Sequence, residues 1–281
     1  MASPTVQSLL AAFALSRAEA LLLLAHASGL RRERLIAASD ESLDPLVEAH
    51  FRELGARRVA GEPIAYLLGA REFYGRRFAV DRGVLIPRPE TELLVDEALR
   101  WIDAAPRGHD RLRLLDLGTG SGAIAISVAL ERPDVDVVAT DRSDAALAVA
   151  QANAAALGAR VRFAAGDWFD ALAATEAPRF DAIVANPPYV AVDDRHLDDG
   201  DLRFEPRDAL TDHADGLEAL RRIVAGAPVH LRSGGVLMVE HGHDQASAVR
   251  ALMIAAGLVA VRSVADLAGI PRVTIGAACG A

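Results

Sequence analysis

The sequence predicts an α/β protein: a doubly wound, mostly parallel sheet preceded by a small helical bundle. From residue 111 onward, apolar segments of strand length alternate with segments of helix length, the mark of repeated βα units. Before residue 60 the apolar residues recur at helical spacing. Two of the strand-like segments end in a glycine-rich turn and in Asn186-Pro187-Pro188-Tyr189, and ligands of open α/β sheets lie outside the carboxyl ends of the strands.

Within residues 3–60, apolar residues from Val6 to Leu15 suit a first helix, and Ser16 can cap a second that stops at Gly29. A short helix runs through Ile36, and Ser42 or Asp44 starts another from Pro45 to Val59 before Gly61-Glu62-Pro63 breaks the pattern. No chemistry-bearing motif lies there. Residues 71–80 read as a hairpin turning near Gly75, a plausible link between domains. In Leu85-Ile-Pro-Arg-Pro-Glu-Thr-Glu92 the prolines hold the chain extended, as the wall of a site would require, and a helix follows from Glu90 to Trp101. Strands are expected at 112–117, 135–141, 161–165, 180–185, 235–241, 259–265 and 271–277. The link between the last two is too short for a parallel crossover, so they are expected as an antiparallel pair at one edge, with the last strand antiparallel. The expected organisation is a helical domain over 1–70, a hairpin and Pro-rich linker over 71–90, and the α/β domain over 91–281.

Composition narrows the class. The chain has 281 residues, 52% hydrophobic, enough for a sizeable core. Its one cysteine, Cys279, excludes an intramolecular disulfide framework and suggests a reducing compartment. There is no run of 18 apolar residues and no charged region before an apolar start, so neither a membrane span nor a signal peptide is expected, and the expected location is the cytoplasm. The net charge is −9, and every basic residue is Arg. Residues 1–90 are near neutral while the rest carry the acidic excess; the overall balance argues against nucleic acid as the main partner, and the asymmetry reads either as an ordinary solvated surface or as a first domain that could receive an acidic protein.

Gly118-Thr119-Gly120-Ser121-Gly122 opens a helix, where a backbone without Cβ atoms can approach a ligand closely. Asp141 ends the next strand, placed to accept both hydroxyls of a ribose. Gly118-x-Gly120-x-x-Ala123 also fits a dinucleotide fingerprint and by itself permits NAD. Three features favour S-adenosylmethionine: Asp116, two residues before the first glycine, would attract an ammonium and repel a pyrophosphate; Asp167 and Trp168 could hold an adenine; and the fourth strand ends in Asn186-Pro-Pro-Tyr189. There, prolines lacking N–H leave carbonyls of Asn186 and Pro187 for a guest, Asn186 adds a side-chain acceptor, and Tyr189 adds a flat face. The group reads as a receptor for a planar –NH2; as a bare tetrapeptide it also reads as a strand-ending turn.

With these residues the chain resembles the release factor glutamine methyltransferases, the HemK/PrmC family, over nearly its whole length. The resemblance is carried by Glu62-Pro-Ile-Ala-Tyr-Leu-Leu-Gly69, Arg71-Glu-Phe-Tyr-Gly75, Leu85-Ile-Pro-Arg-Pro-Glu-Thr-Glu92, Asp116-Leu-Gly-Thr-Gly-Ser-Gly122, Gly166-Asp-Trp168, Asn186-Pro-Pro-Tyr189, Arg203-Phe-Glu-Pro206, Asp215-Gly216 and Asp266-Leu-Ala-Gly269. It implies a five-helix N-terminal domain, a hairpin linker and a seven-stranded, Rossmann-like S-adenosylmethionine-dependent methyltransferase domain. It further implies methylation of the glutamine in the Gly-Gly-Gln loop of release factors. Adenine-amino methyltransferases of DNA or RNA share the tetrapeptide and are the alternative; they need a basic groove, which the sequence does not display. Glu240-His241-Gly-His243-Asp244 resembles a metal cluster, but strand-to-loop geometry would scatter its ligands and no metal is expected. Arg203-Phe-Glu-Pro206 lies in a loop long enough to be a lid or substrate wall, and the Asp-rich run 193–201 reads as solvated.

Overall fold

The computed structural model describes residues 4–105, 111–172, 179–198 and 200–280, so Asp199 of the Asp-rich run lies outside the described residues. The chain forms two compact units, Met1–Ala70 with Asp199–Phe204, and Arg71–Asp198 with Glu205–Ala281.

The first unit holds helices α1 (Val6–Leu10), α2 (Arg17–Ser28), α3 (Arg32–Ala37), α4 (Pro45–Val59) and α5 (Ile64–Leu68). Ser16 and Glu19 cap α2 reciprocally, and Gly29 ends it in the left-handed conformation. Asp44 caps α4, with Pro45 in its first turn. Val6, Leu9, Leu23, Leu24, Leu35, Phe51, Leu54 and Leu67 form the core. The first helix is shorter than its periodicity predicts. Residues 11–15 leave the helical path, and Phe13 packs edge-on to Phe51, 5.9 Å between centroids, directly over Gly55 of α4. A Cβ at Gly55 would lie 2.4 Å from that ring, so a glycine inside a helix makes room for an aromatic outside one.

The second unit opens with strands β1 (Ala70–Phe73) and β2 (Arg76–Ala79). Tyr74 and Gly75 both have positive φ, as a two-residue hairpin turn requires, and Tyr74 is held there by Glu92, which accepts from its N–H, and Asp96, which accepts from its hydroxyl. The hairpin is no loose tether. Phe73 and Phe78 are fully buried in the core of this unit, worth roughly 1.5–3 kcal/mol each. Buried Asn153 bonds Ala79 N–H and C=O and donates to the Ser121 carbonyl, tying the hairpin to the glycine turn.

Then follow α6 (Glu92–Ala104), β3 (Arg113–Leu117), α7 (Ala123–Glu131), β4 (Asp136–Asp141), α8 (Asp144–Leu157), β5 (Val161–Ala165), β6 (Phe180–Ala185), α9 (Arg207–Leu210), α10 (Glu218–His230), β7 (Leu231–Glu240), α11 (Ala246–Ala255), β8 (Val259–Ala265) and β9 (Pro271–Ala277). The sheet order is β5-β4-β3-β6-β7-β9-β8, parallel except for β9, as expected. Successive residues face opposite layers: Leu114 of β3 and Val184 of β6 join the layer with α6 and α7, while Leu115 and Ile183 join that with α10 and α11. The chain winds outward from β3 to β5, then returns to add β6 beside β3. That reversal opens a crevice at the carboxyl ends of β3 and β6. β7 starts four residues earlier than its apolar run predicts. Leu231 pairs with Phe180, and Ser233-Gly234-Gly235 then bulges before Val236 pairs with Ala182, so a sequence that reads as a turn lies within the strand.

Candidate active site

The crevice holds a cavity of about 460 Å³. Gly118, Thr119, Gly120, Ser121, Asp141, Asp167, Trp168, Asn186 and Pro188 line it, so most of the expected site residues converge. Asp116, Gly122, Pro187 and Tyr189 are not in its wall.

The glycine turn is pinned to β4. The N–H groups of Gly118 and Thr119 donate to Thr140 O, each at 2.9 Å, and Gly120 N–H donates to Asp141 Oδ2 at 2.9 Å. Asp141 Oδ1 accepts from Ser143 N–H. Its carboxylate therefore stands in one orientation at the cavity wall, with lone pairs left on both oxygens. Gly118, at φ +71°, leaves room for the Trp168 ring, which a Cβ there would meet at 3.1 Å. Trp168 itself sits at φ +51°, a strained conformation for an aromatic residue that its surroundings must impose. Asp167 pairs with Arg222 at 2.7 Å.

Asp116 lies fully buried behind the turn. Its Oδ2 accepts from Thr119 Oγ1 and Ala125 N–H, and its Oδ1 has no partner. Burial, opposed by those two bonds, pushes its pKa up to about 7.

At the end of β6, Asn186 Nδ2 donates to Thr91 Oγ1 at 3.1 Å. Oδ1, at the other end of the amide, is the atom available to a guest. Tyr189 donates its hydroxyl to Glu240 Oε1 at 3.4 Å, a long bond, and its backbone carbonyl accepts from Gln245. Burial, with the Glu240 charge beside it, pushes the Tyr189 phenol up.

The profile of the PrmC N-terminal domain matches residues 5–69, and that of the methyltransferase small domain residues 95–199. The release factor glutamine methyltransferase of Bordetella pertussis is 56% identical over 96% of this chain and 98% of its own length. The chain belongs to the release factor glutamine methyltransferase family. The Burkholderia pseudomallei member is 53% identical over 97% of this chain and 95% of its own. Among solved structures, a methyltransferase from Pyrococcus furiosus shares the fold, with a TM-score of 0.53 at 17% identity, over 80% of this chain and 97% of that one.

The residues fit the cofactor expected of such a family member. The cavity suits a nucleoside-sized ligand, the Gly118–Trp168 cradle would be closed by a single Cβ, Asp141 offers acceptors, and the unpartnered Asp116 oxygen lies buried beneath the turn. In the segment that resembles a metal cluster, His241 is buried between Gly242 O and Thr274 Oγ1, and among the described residues no group of three or more His, Cys, Asp or Glu side chains converges.

Several residues of the site carry no role in the sequence reading. Thr91 sits inside the Pro-rich segment but was legible only as part of a motif. Asp208 of α9 binds Arg142 at 3.0 Å and His213 at 2.6 Å, and all three line the cavity. The loop motif ending at Pro206 divides between the units: Arg203 donates to Ala60 O in the first, while Glu205 of the second, buried, accepts from Ile86 N–H and Arg88 and so fixes the Pro-rich wall.

The buried Asp116 makes a stability prediction. Its pKa in the folded protein is raised from 3.8 to about 7, so its contribution is fully present below the unfolded value and is lost as pH rises through about 7. Unliganded protein is expected to unfold more easily at pH 8 than at pH 5, and Asp116→Asn to flatten that slope in denaturant titrations. Glu240, raised from 4.5 to about 7, adds a slope of the same sign that the variant keeps. An unchanged slope in Asp116→Asn contradicts the assignment.

Proposed function

We propose that this protein transfers a methyl group from S-adenosylmethionine to the side-chain amide nitrogen of the glutamine in the Gly-Gly-Gln motif of peptide-chain release factors, giving N5-methylglutamine and S-adenosylhomocysteine. The observation that carries the reading is the position of Asn186, whose side chain reaches the same cavity as the glycine turn, Asp141 and Trp168.

Gly118 to Gly122 and Asp116 hold the methionine part of the cofactor, Asp141 its ribose, and Trp168 with Asp167 its adenine. When bound, the cofactor supplies an electrophilic methyl on a sulfonium. The substrate glutamine approaches from the side of Pro187 and Tyr189, which suits their place outside the cavity wall. Its –NH2 donates to Asn186 Oδ1 and to the Pro187 carbonyl, and Tyr189 packs on the amide plane. An amide nitrogen is a weak nucleophile because its lone pair is delocalised. Two fixed acceptors on its hydrogens raise its electron density and hold it in line with the methyl, so most of the acceleration comes from positioning. The alkylated nitrogen is strongly acidic and gives up one proton to solvent without a dedicated base.

Labelled S-adenosylmethionine offered with a release factor, the same factor with its loop glutamine changed to glutamate, duplex DNA and RNA tests the reading. Label on the first substrate alone is expected; label on DNA or RNA alone overturns it in favour of an adenine-amino methyltransferase. The acidic surplus speaks against that outcome. No helix among the described residues is long and apolar enough to cross a membrane, and we place the protein with its substrate in the cytoplasm.

The first unit is assigned to recognition of the release factor. Residues 71–281, which keep the hairpin with the core it packs in, are expected to bind cofactor with unchanged affinity in calorimetry and to methylate an intact release factor poorly. Full activity from that shortened chain overturns the recognition role.

A further inference from the structure

We propose that Gln245 is a positioning residue for methyl transfer: it fixes the end of the Asn186–Tyr189 receptor against the loop that walls the cofactor cavity, and so holds the Tyr189 ring in place on the substrate amide. The inference deepens the functional reading above and rests on it.

Pro187 and Pro188 have no N–H, so the receptor brings no backbone donor at these positions to fix its own path. Its end is held from outside, by a side chain. Gln245 Nε2 donates to the Tyr189 carbonyl at 3.0 Å and to the Gly216 carbonyl at 3.1 Å, while Gln245 Oε1 accepts from Gly242 N–H at 2.8 Å. All three partners are backbone groups of fixed character, two carbonyls that only accept and one N–H that only donates, so the amide has one orientation. Two carbonyls converging on one nitrogen need a donor with two hydrogens, which the –NH2 supplies. The approach is close: Gly216 has φ +79°, and a Cβ there would lie 2.5 Å from the Tyr189 oxygen.

The other side of this join faces the cofactor. Asp212, Glu218 and Ala219 line the cavity. Asp212 shapes their loop by accepting from the N–H groups of Ala214, Gly216 and Glu218. Gln245 therefore links the segment that takes the substrate to the loop beside the cofactor, and Gly216, of the Asp215-Gly216 motif, is where the two meet. Helix α11 has no need of this glutamine. Gln245 is its N-cap, where Ser, Thr, Asp or Asn would serve the helix better, and its side chain makes no capping bond. All three of its bonds go to residues outside α11.

The test uses the full chain with two variants. Gln245→Met keeps the length of the side chain without its polar end. Gln245→Glu keeps an acceptor for Gly242 and sets a charge against both carbonyls. Single-turnover methylation of a release factor at saturating cofactor, affinity for S-adenosylhomocysteine and thermal midpoint are measured for each. A displacement of about 1 Å costs about 100-fold in transfer, so both variants are expected to be slower by about 10- to 100-fold. Product affinity is expected to change less than about threefold, since Asp212 keeps the turn of the cavity loop. Gln245→Glu is expected to be no faster than Gln245→Met, because the donor and not the Gly242 bond does the positioning. Spectra of ring-labelled tyrosine give a readout apart from activity. The Tyr189 signal, identified by its loss in Tyr189→Phe, is expected to shift or broaden in Gln245→Met while those of Tyr66 and Tyr74 stay in place. In the wild type the Gln245 side-chain –NH2 is expected to exchange slowly with water, and fast exchange of both its protons overturns the inference before any variant is made. Wild-type transfer rates in both variants overturn it whatever the thermal midpoint does, as does a Gln245→Glu variant that alone keeps the wild-type rate. A wild-type protein that leaves the release factor unlabelled instead overturns the functional reading, while the tyrosine spectra still judge whether Gln245 holds Tyr189.

Discussion

Replacing Asn186 with alanine is expected to lower the single-turnover methylation rate by about 10- to 1000-fold while leaving cofactor affinity nearly unchanged. The substitution removes the acceptor oxygen at the reacting nitrogen. It also leaves Thr91 Oγ1 without its donor, so some loss of stability accompanies it, about 1 kcal/mol for one bond of this kind. The two effects separate cleanly. A residue that only ended a strand in a turn would, when changed, lower the thermal midpoint and leave the rate of the folded fraction intact. A residue that orients the amide lowers the rate at saturating cofactor whatever happens to the midpoint. Equal rates for wild type and Asn186→Ala would leave the reaction centre without an assigned receptor. The companion substrate change works on the same bond from the other side: a release factor whose loop glutamine is replaced by glutamate has no –NH2 to donate and is expected to stay unmethylated.

What the sequence made legible, and what it did not, follows from the range of the interactions involved. The central strands were readable because both faces of the sheet are covered there, which gives nearly continuous apolar runs, as at residues 180–185. The antiparallel pairing of the last two strands was readable because the short link at Asp266 cannot cross over; the order of the strands was not. The glycine turn was readable since its φ values and close packing demand glycine at fixed spacing. The exceptions are of one kind. The bulge in β7 carries turn residues inside a strand, and Phe13 leaves a helical pattern to reach Gly55; in both cases a partner distant in sequence decides the local path. The same holds at the site. Asn186 was legible because its two prolines advertise it. Thr91 was not, because it meets Asn186 only when the end of β6 and the start of α6 come together. Glu240, which beside His241 and His243 resembles part of a metal cluster, instead accepts from the Tyr189 hydroxyl.

Asp141→Ala is expected to produce the largest loss of cofactor affinity of any single change in the cavity wall. One charge-assisted hydrogen bond lost corresponds to roughly 1.5–3 kcal/mol, or about 10- to 150-fold in dissociation constant. The structure argues for the upper part of that range. Asp141 does more than face a ribose: its Oδ2 holds Gly120 N–H and its Oδ1 holds Ser143 N–H, so alanine frees the tip of the glycine turn as well as removing acceptors from the ligand. Asp141→Asn divides these contributions. The amide keeps one oxygen, which can retain Gly120, but its –NH2 faces the Ser143 donor and the charge is gone, so an intermediate affinity is expected. Thr140 O still anchors Gly118 and Thr119 in both variants, which keeps the base of the turn in place and the protein folded. Calorimetric titration with S-adenosylhomocysteine reads the affinity directly, without the methyl transfer or the protein substrate. If alanine and asparagine both bind as tightly as wild type, the ribose does not lie at the end of β4, and the cofactor must sit elsewhere in the crevice.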